Sequence, residues 1–344
     1  MQRSYKWVEN TLNEYMQMTK QVMLDYFPDK EPQHYLYDLV SSYPNRTGKG
    51  LRPGLCIATC RAFGGSISSV LRSAAAIELF HNAFLIHDDV EDGSEFRRGL
   101  PTMHKEYGVG IAINVGDAMN VLSIRPLMDN LDRLGSTLTW LVFAEIEHMV
   151  RESVEGQAME LGWVRDNVCS LAEADYLRMI LKKTCWYTCM HPCRIGALIG
   201  SGGSADLDSF NRFAYYMGAA FQIQDDALNL EGEHERYGKE ISGDIFEGKR
   251  TLMLIHLLNN CTAAEHEYIR EFLSRPREQR SMEQVGQVHD LMVKYNSIRS
   301  ARSTARHLAG AAMREFHLAY GKLPDSDDKR LIENIILYMI ERDI

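Results

Sequence analysis

The chain of 344 residues carries a formal net charge of -9, with 45% hydrophobic and 25% charged side chains. That balance supplies enough apolar surface for a packed core and excludes wholesale disorder. The acidic surplus argues against a nucleic-acid partner, which calls for a basic face. Residues 1–10 are polar rather than signal-like, and no uninterrupted apolar run approaches the roughly 18 residues of a membrane span, so a soluble cytoplasmic protein is expected.

Helical spacing opens the chain at Trp7, Leu12, Tyr15, Met16, Met23 and Phe27, and no sustained apolar/polar alternation bounded by hairpin turns follows. An all-α fold is the economical reading. Nothing resembles a linker, so residues 1–344 read as one domain. Pro28, Pro44, Gly64, Gly65, Gly93, Gly99, Gly108, Gly202, Gly203 and Gly232 divide it into about ten helices. The segment 74–92 is nearly apolar until His87, Asp88 and Asp89, as in a buried central helix that delivers carboxylates to one end of a bundle. Cys185, Cys189 and Cys193 recur every four residues, but Pro192 interrupts them. With no C-x-x-C pair among the seven cysteines, reduced thiols used as packing are expected. The segment 205–229 repeats the pattern of the central helix and ends in Asp225 and Asp226.

Asp88 and Asp92 lie one turn apart on a common helix face, with Asp89 about 100° around. Like charges so gathered are costly unless cations neutralise them, and hard oxygen donors that leave room for substrate phosphates suit Mg²⁺. Alone, the pattern is equally an acidic, solvated helix end. A second pair, Asp225 and Asp226, follows Phe221 and Gln222, with Asn229 on the face of Asp225. Two facing acidic clusters can clamp a diphosphate through metal ions. The balancing cations stand at Lys49 and Arg52, Arg97 and Arg98, Lys182 and Lys183, Lys239 and Lys249. Taken together, they provide for two anionic substrates.

The order G-K-x-x-R-P, D-D-x-x-D with R-R-G-x-P-T-x-H, K-T, F-Q-x-x-D-D and G-K-x-x-x-G-D-x-x-x-G-K, spanning residues 49–249, resembles the trans-isoprenyl diphosphate synthases. Within them, the D-D-A-L-N-L form of the second motif is similar to geranylgeranyl diphosphate synthases. The resemblance implies an all-α bundle around a deep central cavity, three Mg²⁺ ions with substrate bound, and a homodimer. Asp88, Asp92 and Asp225 would be the main metal ligands, supported by Asp89, Asp226 and Asp244. Lys49, Arg52, His81 and Arg98 would hold isopentenyl diphosphate. Arg97, Lys183, Gln222, Lys239 and Lys249 would grip the allylic diphosphate, with Thr184 and Phe221 beside the reacting carbons. Three departures stand out: Gly50 where a basic residue is common, Asn229 in place of the last Asp, and the bulk of Cys185, Trp186 and Tyr187.

The chemistry implied is ionisation of an allylic diphosphate, attack by the isopentenyl double bond and loss of a proton. A class I terpene cyclase is the nearest alternative, but it needs no pocket such as Lys49, Arg52, His81 and Arg98 would form. An inactive partner of a synthase heteromer would have lost the acidic motifs. A metal phosphohydrolase built on His87 and Asp88 would need further ligands. Product length is expected to depend on the helix bearing Asp88. Ala83, five residues earlier, would leave the floor open, Phe84 would wall the cavity, and Phe80 would be the lower stop.

Overall fold

The computed structural model describes residues 5–46, 48–231 and 242–341. Its main helices are α1 (Lys6–Asp25), α2 (Leu51–Ala62), α3 (Ile67–Asp92), α4 (Val109–Leu122), α5 (Leu131–Arg165), α6 (Glu173–Ile180), α7 (His191–Gly200), α8 (Asn211–Glu231), α9 (Gly243–Glu247), α10 (Leu252–Asn260), α11 (Ser297–Tyr320) and α12 (Asp327–Glu341). A π-helical segment, Leu181–Met190, joins α6 to α7. None of the helices is long and apolar enough to cross a membrane. The expectation of a helical bundle holds. Among the described residues, the one departure is a hairpin pairing Phe96–Arg97 with Leu100–Pro101, too short to leave an alternation signal. Its turn residues, Arg98 and Gly99, both have positive φ, the geometry that suits the right-handed twist of a tight hairpin.

Helix α3 is the axis of the molecule. Ser66 caps its start by accepting from the amide of Ser69 at 3.2 Å, and Gly93, with φ of 66°, ends it in the left-handed conformation. Val70, Ala74, Ile77 and Phe80 join the larger core formed with α2, α5, α7, α8, α10, α11 and α12. Ala75, Leu79, Ala83 and Ile86 face a second core with Met23 of α1 and Ala112, Val115 and Met119 of α4. A helix buried on both sides must be apolar nearly all round, which explains the mostly apolar sequence of its middle, broken only by the buried Glu78, His81 and Asn82. Each Leu or Ile so buried contributes about 2 kcal/mol.

Cys185, Cys189 and Cys193 are fully buried in the larger core, and burial pushes their thiols up. Pro192 does not break the run, because it sits in the first turn of α7 where its missing N–H is not needed. All three thiols sit among apolar side chains of that core, the setting of small packing residues. Cys189→Ala is expected to cost about 1–2 kcal/mol in a denaturant melt and to leave turnover unaltered. Appearance of a metal requirement for folding in the parent protein would overturn this.

Candidate active site

One cavity of about 1780 Å³ collects most of the residues singled out in the sequence. Asp88, from the last turn of α3, lines one wall, and Asp225 and Asp226 of α8 and Asp244 of α9 line another. Lys249 joins the banks: its Nζ lies 2.6 Å from Asp92, 2.8 Å from Glu247 and 3.9 Å from Asp244. Lys183, on the π segment, reaches Asp88 at 3.2 Å and pairs more closely with Glu160 of α5. Burial lowers the pKa of Lys183, but Asp88 and Glu160 more than offset it, so the ammonium stays charged. Burial also raises the Asp92 carboxyl to about 7 against the pull of Lys249.

The donor set fits Mg²⁺. Asp92 Oδ2 is buried and accepts no well-directed hydrogen bond despite the Lys249 contact. Asp88 on one wall and Asp225 and Asp244 on the other would hold the ions, whereas Asp92, expected beside Asp88, lies off the cavity lining with its carboxylate against Lys249. Hard carboxylates spread over two walls of a cavity leave positions for phosphate oxygens and water, as this ion prefers.

Asp89 departs from its expected supporting role at the metals. It is buried away from the cavity, accepts from the Tyr43 hydroxyl at 2.6 Å and from Arg97 Nε at 2.8 Å. Arg97, expected to grip the allylic diphosphate, is thereby bound to Asp89 and reaches Asp88 at 3.3 Å. The helix geometry is the reason: 100° separates Asp89 from Asp88 and turns it toward the hairpin. Asp226 accepts from Tyr176 at 2.7 Å and from Gln222 at 2.6 Å, and Gln222 accepts from Thr184 at 3.0 Å. Burial raises Asp226 to about 6, against those two hydrogen bonds.

The second cationic pocket lies beside Lys49, Arg52, His81 and Arg98, all of which line the cavity. Arg52 meets His81 Nε2 at 3.2 Å and donates to Thr188 at 2.8 Å. Burial, with Arg52 and Arg98 close by, pushes His81 well below its ordinary value and keeps it neutral. Arg98 donates to the carbonyl of Arg46, and its guanidinium lies where a side chain on Gly48 would crowd it. Gly50 is not a missing cation. It has φ of 62° at the start of α2, and a Cβ there would lie 2.7 Å from Met16 and 2.8 Å from the carbonyl of Leu12. Asn229 likewise serves the backbone, accepting from the Asp244 amide at 3.1 Å and so steadying α9.

The proposed length ruler needs correction. Ala83 is absent from the cavity wall and packs in the second core beside Ala112, Val115 and Met119, and Phe80 also lies off the wall. Five residues turn a helix by 500°, which leaves Ala83 about 140° from the Asp88 face, whereas Phe84, four residues away, is about 40° off. Phe84 and Leu85 line the cavity, with Val150 and Val154 of α5 and Tyr187 and Phe221. Lys239 lies outside the described residues. Several lining residues escaped the sequence reading: Glu78, Gln157, Glu160 and Tyr176, while Tyr187, noted there for its bulk, does reach the cavity. Gln157 donates to Glu91 at 2.6 Å and lies 3.4 Å from Asp88. Ser153, Gln157 and Glu160 recur at helical spacing, a polar stripe that was readable.

The π segment carries the site's remaining geometry. Its i→i+5 bonding brings Lys183, Thr184 and Tyr187 to the cavity while Trp186 packs outward on His148 and His191. Glycines on both sides permit this approach. A Cβ on Gly156 would lie 2.2 Å from the Lys183 backbone nitrogen, and one on Gly218 would lie 3.0 Å from Cys185 Cα.

Acidic banks, two cationic pockets and an apolar recess in one helical cavity define a protein that handles prenyl-type diphosphates. A polyprenyl synthetase family model matches residues 33–292. The geranylgeranyl diphosphate synthase of Sulfolobus acidocaldarius is 31% identical over 292 residues, covering 84% of this chain and 86% of that protein. The geranylfarnesyl diphosphate synthase of Aeropyrum pernix is 28% identical over 323 residues, covering 90% and 98%. A crystal structure of geranylgeranyl pyrophosphate synthetase from Pyrococcus horikoshii superposes with a TM-score of 0.86 at 27% identity, over 99% of this chain and all of the other. The chain belongs to the polyprenyl synthetase family and is a trans-prenyltransferase.

Proposed function

We propose that the protein joins an allylic diphosphate to isopentenyl diphosphate by head-to-tail elongation, with geranylgeranyl diphosphate as the principal product. The observation that carries this reading is the coexistence, in one cavity, of the carboxylate banks and the separate pocket of Lys49, Arg52, His81 and Arg98. A cyclase needs only the first. Bound Mg²⁺ would supply Lewis-acid neutralisation of the departing diphosphate. Lys183, Gln222 and Lys249 hold and orient that group, and Lys49, Arg52 and Arg98 fix the homoallylic diphosphate so that its double bond faces the allylic carbon. Phe84, Met179, Ile180, Tyr187 and Phe221 exclude water from the allylic cation. The new bond forms at the terminal alkene carbon and leaves the cation on the adjacent branched carbon. The proton is then lost from the next carbon, beside the one bearing the diphosphate, and passes to an oxygen of the released diphosphate, so that the product is again an allylic diphosphate.

A homodimer accompanies this reading. Val121, Ile124, Met128, Leu131 and Trp140 leave an apolar stretch of α4, the short helix Ile124–Asp129 and α5 exposed, the kind of surface that a second copy covers. The seven free thiols suit a reducing cytoplasm. Incubation of purified protein with Mg²⁺, isopentenyl diphosphate and each allylic starter should consume both substrates and yield mainly the geranylgeranyl product by chromatography. Release of a hydrocarbon from the allylic substrate alone would favour cyclisation, and no turnover with any starter would favour an inactive subunit.

A further inference from the structure

Tyr187 stands at one of the positions where the sequence departs from its family resemblance, and its surroundings are specific. The Arg52 guanidinium lies over its ring, 4.2 Å from the centroid. Phe84 meets the same ring edge-on at 87° with centroids 5.8 Å apart, and His81 lies 5.9 Å away. The phenol hydroxyl makes no hydrogen bond to any described residue, so the ring is what engages its neighbours. Arg52 Nε is buried without a partner, which leaves the guanidinium positioned by Tyr187, His81 and Thr188. Phe84 bounds the apolar recess on α3.

We propose that Tyr187 is a positioning and specificity-determining residue: its ring face seats the guanidinium that takes the homoallylic diphosphate, and its contact with Phe84 braces the wall of the chain pocket. One side chain thus links affinity for isopentenyl diphosphate to product length. The inference rests on the elongation reading above. Physically, a cation over an aromatic face is stabilised, and a T-shaped ring pair adds to the packing of both partners. Removing the ring therefore loosens Arg52 and frees Phe84 to turn away from the recess.

The test uses the full-length protein. By calorimetric titration with isopentenyl diphosphate, Tyr187→Leu should bind about fivefold more weakly, equivalent to about 1 kcal/mol at 1.4 kcal/mol per decade. Its product profile should shift by at least one isoprene unit toward longer chains, while KM for the allylic starter stays within about twofold, the sign of an intact fold. Tyr187→Phe, which keeps the ring, should retain both properties, and Tyr187→Met replaces the leucine variant if that fails to fold. Arg52→Gln should weaken isopentenyl diphosphate without lengthening the product, and Phe84→Ala should lengthen the product without weakening isopentenyl diphosphate. Unchanged affinity in Tyr187→Leu, or weaker affinity with an unchanged product, would overturn the link. If the unaltered protein forms no elongated product, the elongation reading falls and takes the length half with it, while the titration still decides whether Tyr187 seats Arg52.

Discussion

Replacing Asp88 by alanine is expected to lower turnover by about 10³-fold, equivalent to about 4 kcal/mol of transition-state stabilisation. Thermal stability should change little. The asymmetry follows from the contacts: Asp88 lines the cavity and touches Lys183, Arg97 and Gln157, but Lys183 keeps Glu160, Arg97 keeps Asp89 and Gln157 keeps Glu91 when it is gone. What disappears is an oxygen donor facing the diphosphate, and with it the neutralisation needed as the leaving group departs. Steady-state kinetics alongside a thermal melt decide the matter. Turnover within tenfold of the parent would sink the two-bank mechanism.

Its neighbour should behave in the opposite way. Asp89→Ala removes the buried partner of Arg97 and the acceptor of the Tyr43 hydroxyl, leaving a guanidinium and a phenol inside the protein with reduced compensation. Breaking a buried ion pair from one side costs about 3–5 kcal/mol, and the value here should fall near the lower end because Asp88 can attract Arg97 instead. Asp89→Asn, which keeps the shape and an acceptor oxygen, should lose less. A denaturant titration with the midpoint unshifted in Asp89→Ala would show that the pair contributes nothing and return Asp89 to the metal-supporting role expected from sequence.

These two aspartates illustrate what was legible before the structure. The all-α architecture and the central helix could be read because apolar residues without alternation leave few other ways to build a core. Asp88, Asp225 and the scattered cations could be read because phosphate chemistry requires those groups, and the structure gathers Lys49, Arg52, His81, Lys183 and Lys249 around one cavity. Direction was harder than composition. Depth along α3 suggests Ala83 but carries no azimuth, and adjacency groups Asp89 with Asp88 although it faces elsewhere. Gly50 read as a lost charge, when its backbone conformation and the closeness of α1 are what require glycine. Glu160 stands out locally only as part of a polar stripe and Tyr187 only by its bulk; the partners that give them roles, Lys183 and Arg52, lie on other elements that no local window contains.

The wide π turn acts as a phase shifter. An α-helix advances about 100° per residue, so the extra residue accommodated by i→i+5 bonding resets the angular relation between everything before Leu181 and everything after Met190. Upstream, α6 presents Tyr176 to Asp226, and downstream α7 commits His191 and Arg194 to Glu145. A single-residue deletion within Leu181–Met190 would either close the turn into α geometry, shifting Lys183, Thr184 and Tyr187 off the cavity, or, with the wide turn kept, rotate one half of the rod against the other by about 100°. Lys183 and the Glu145 cluster could not both keep their partners. Length in this stretch is under tighter constraint than the identity of most of its side chains, and libraries aimed at altering the product should substitute residues here without inserting or deleting any.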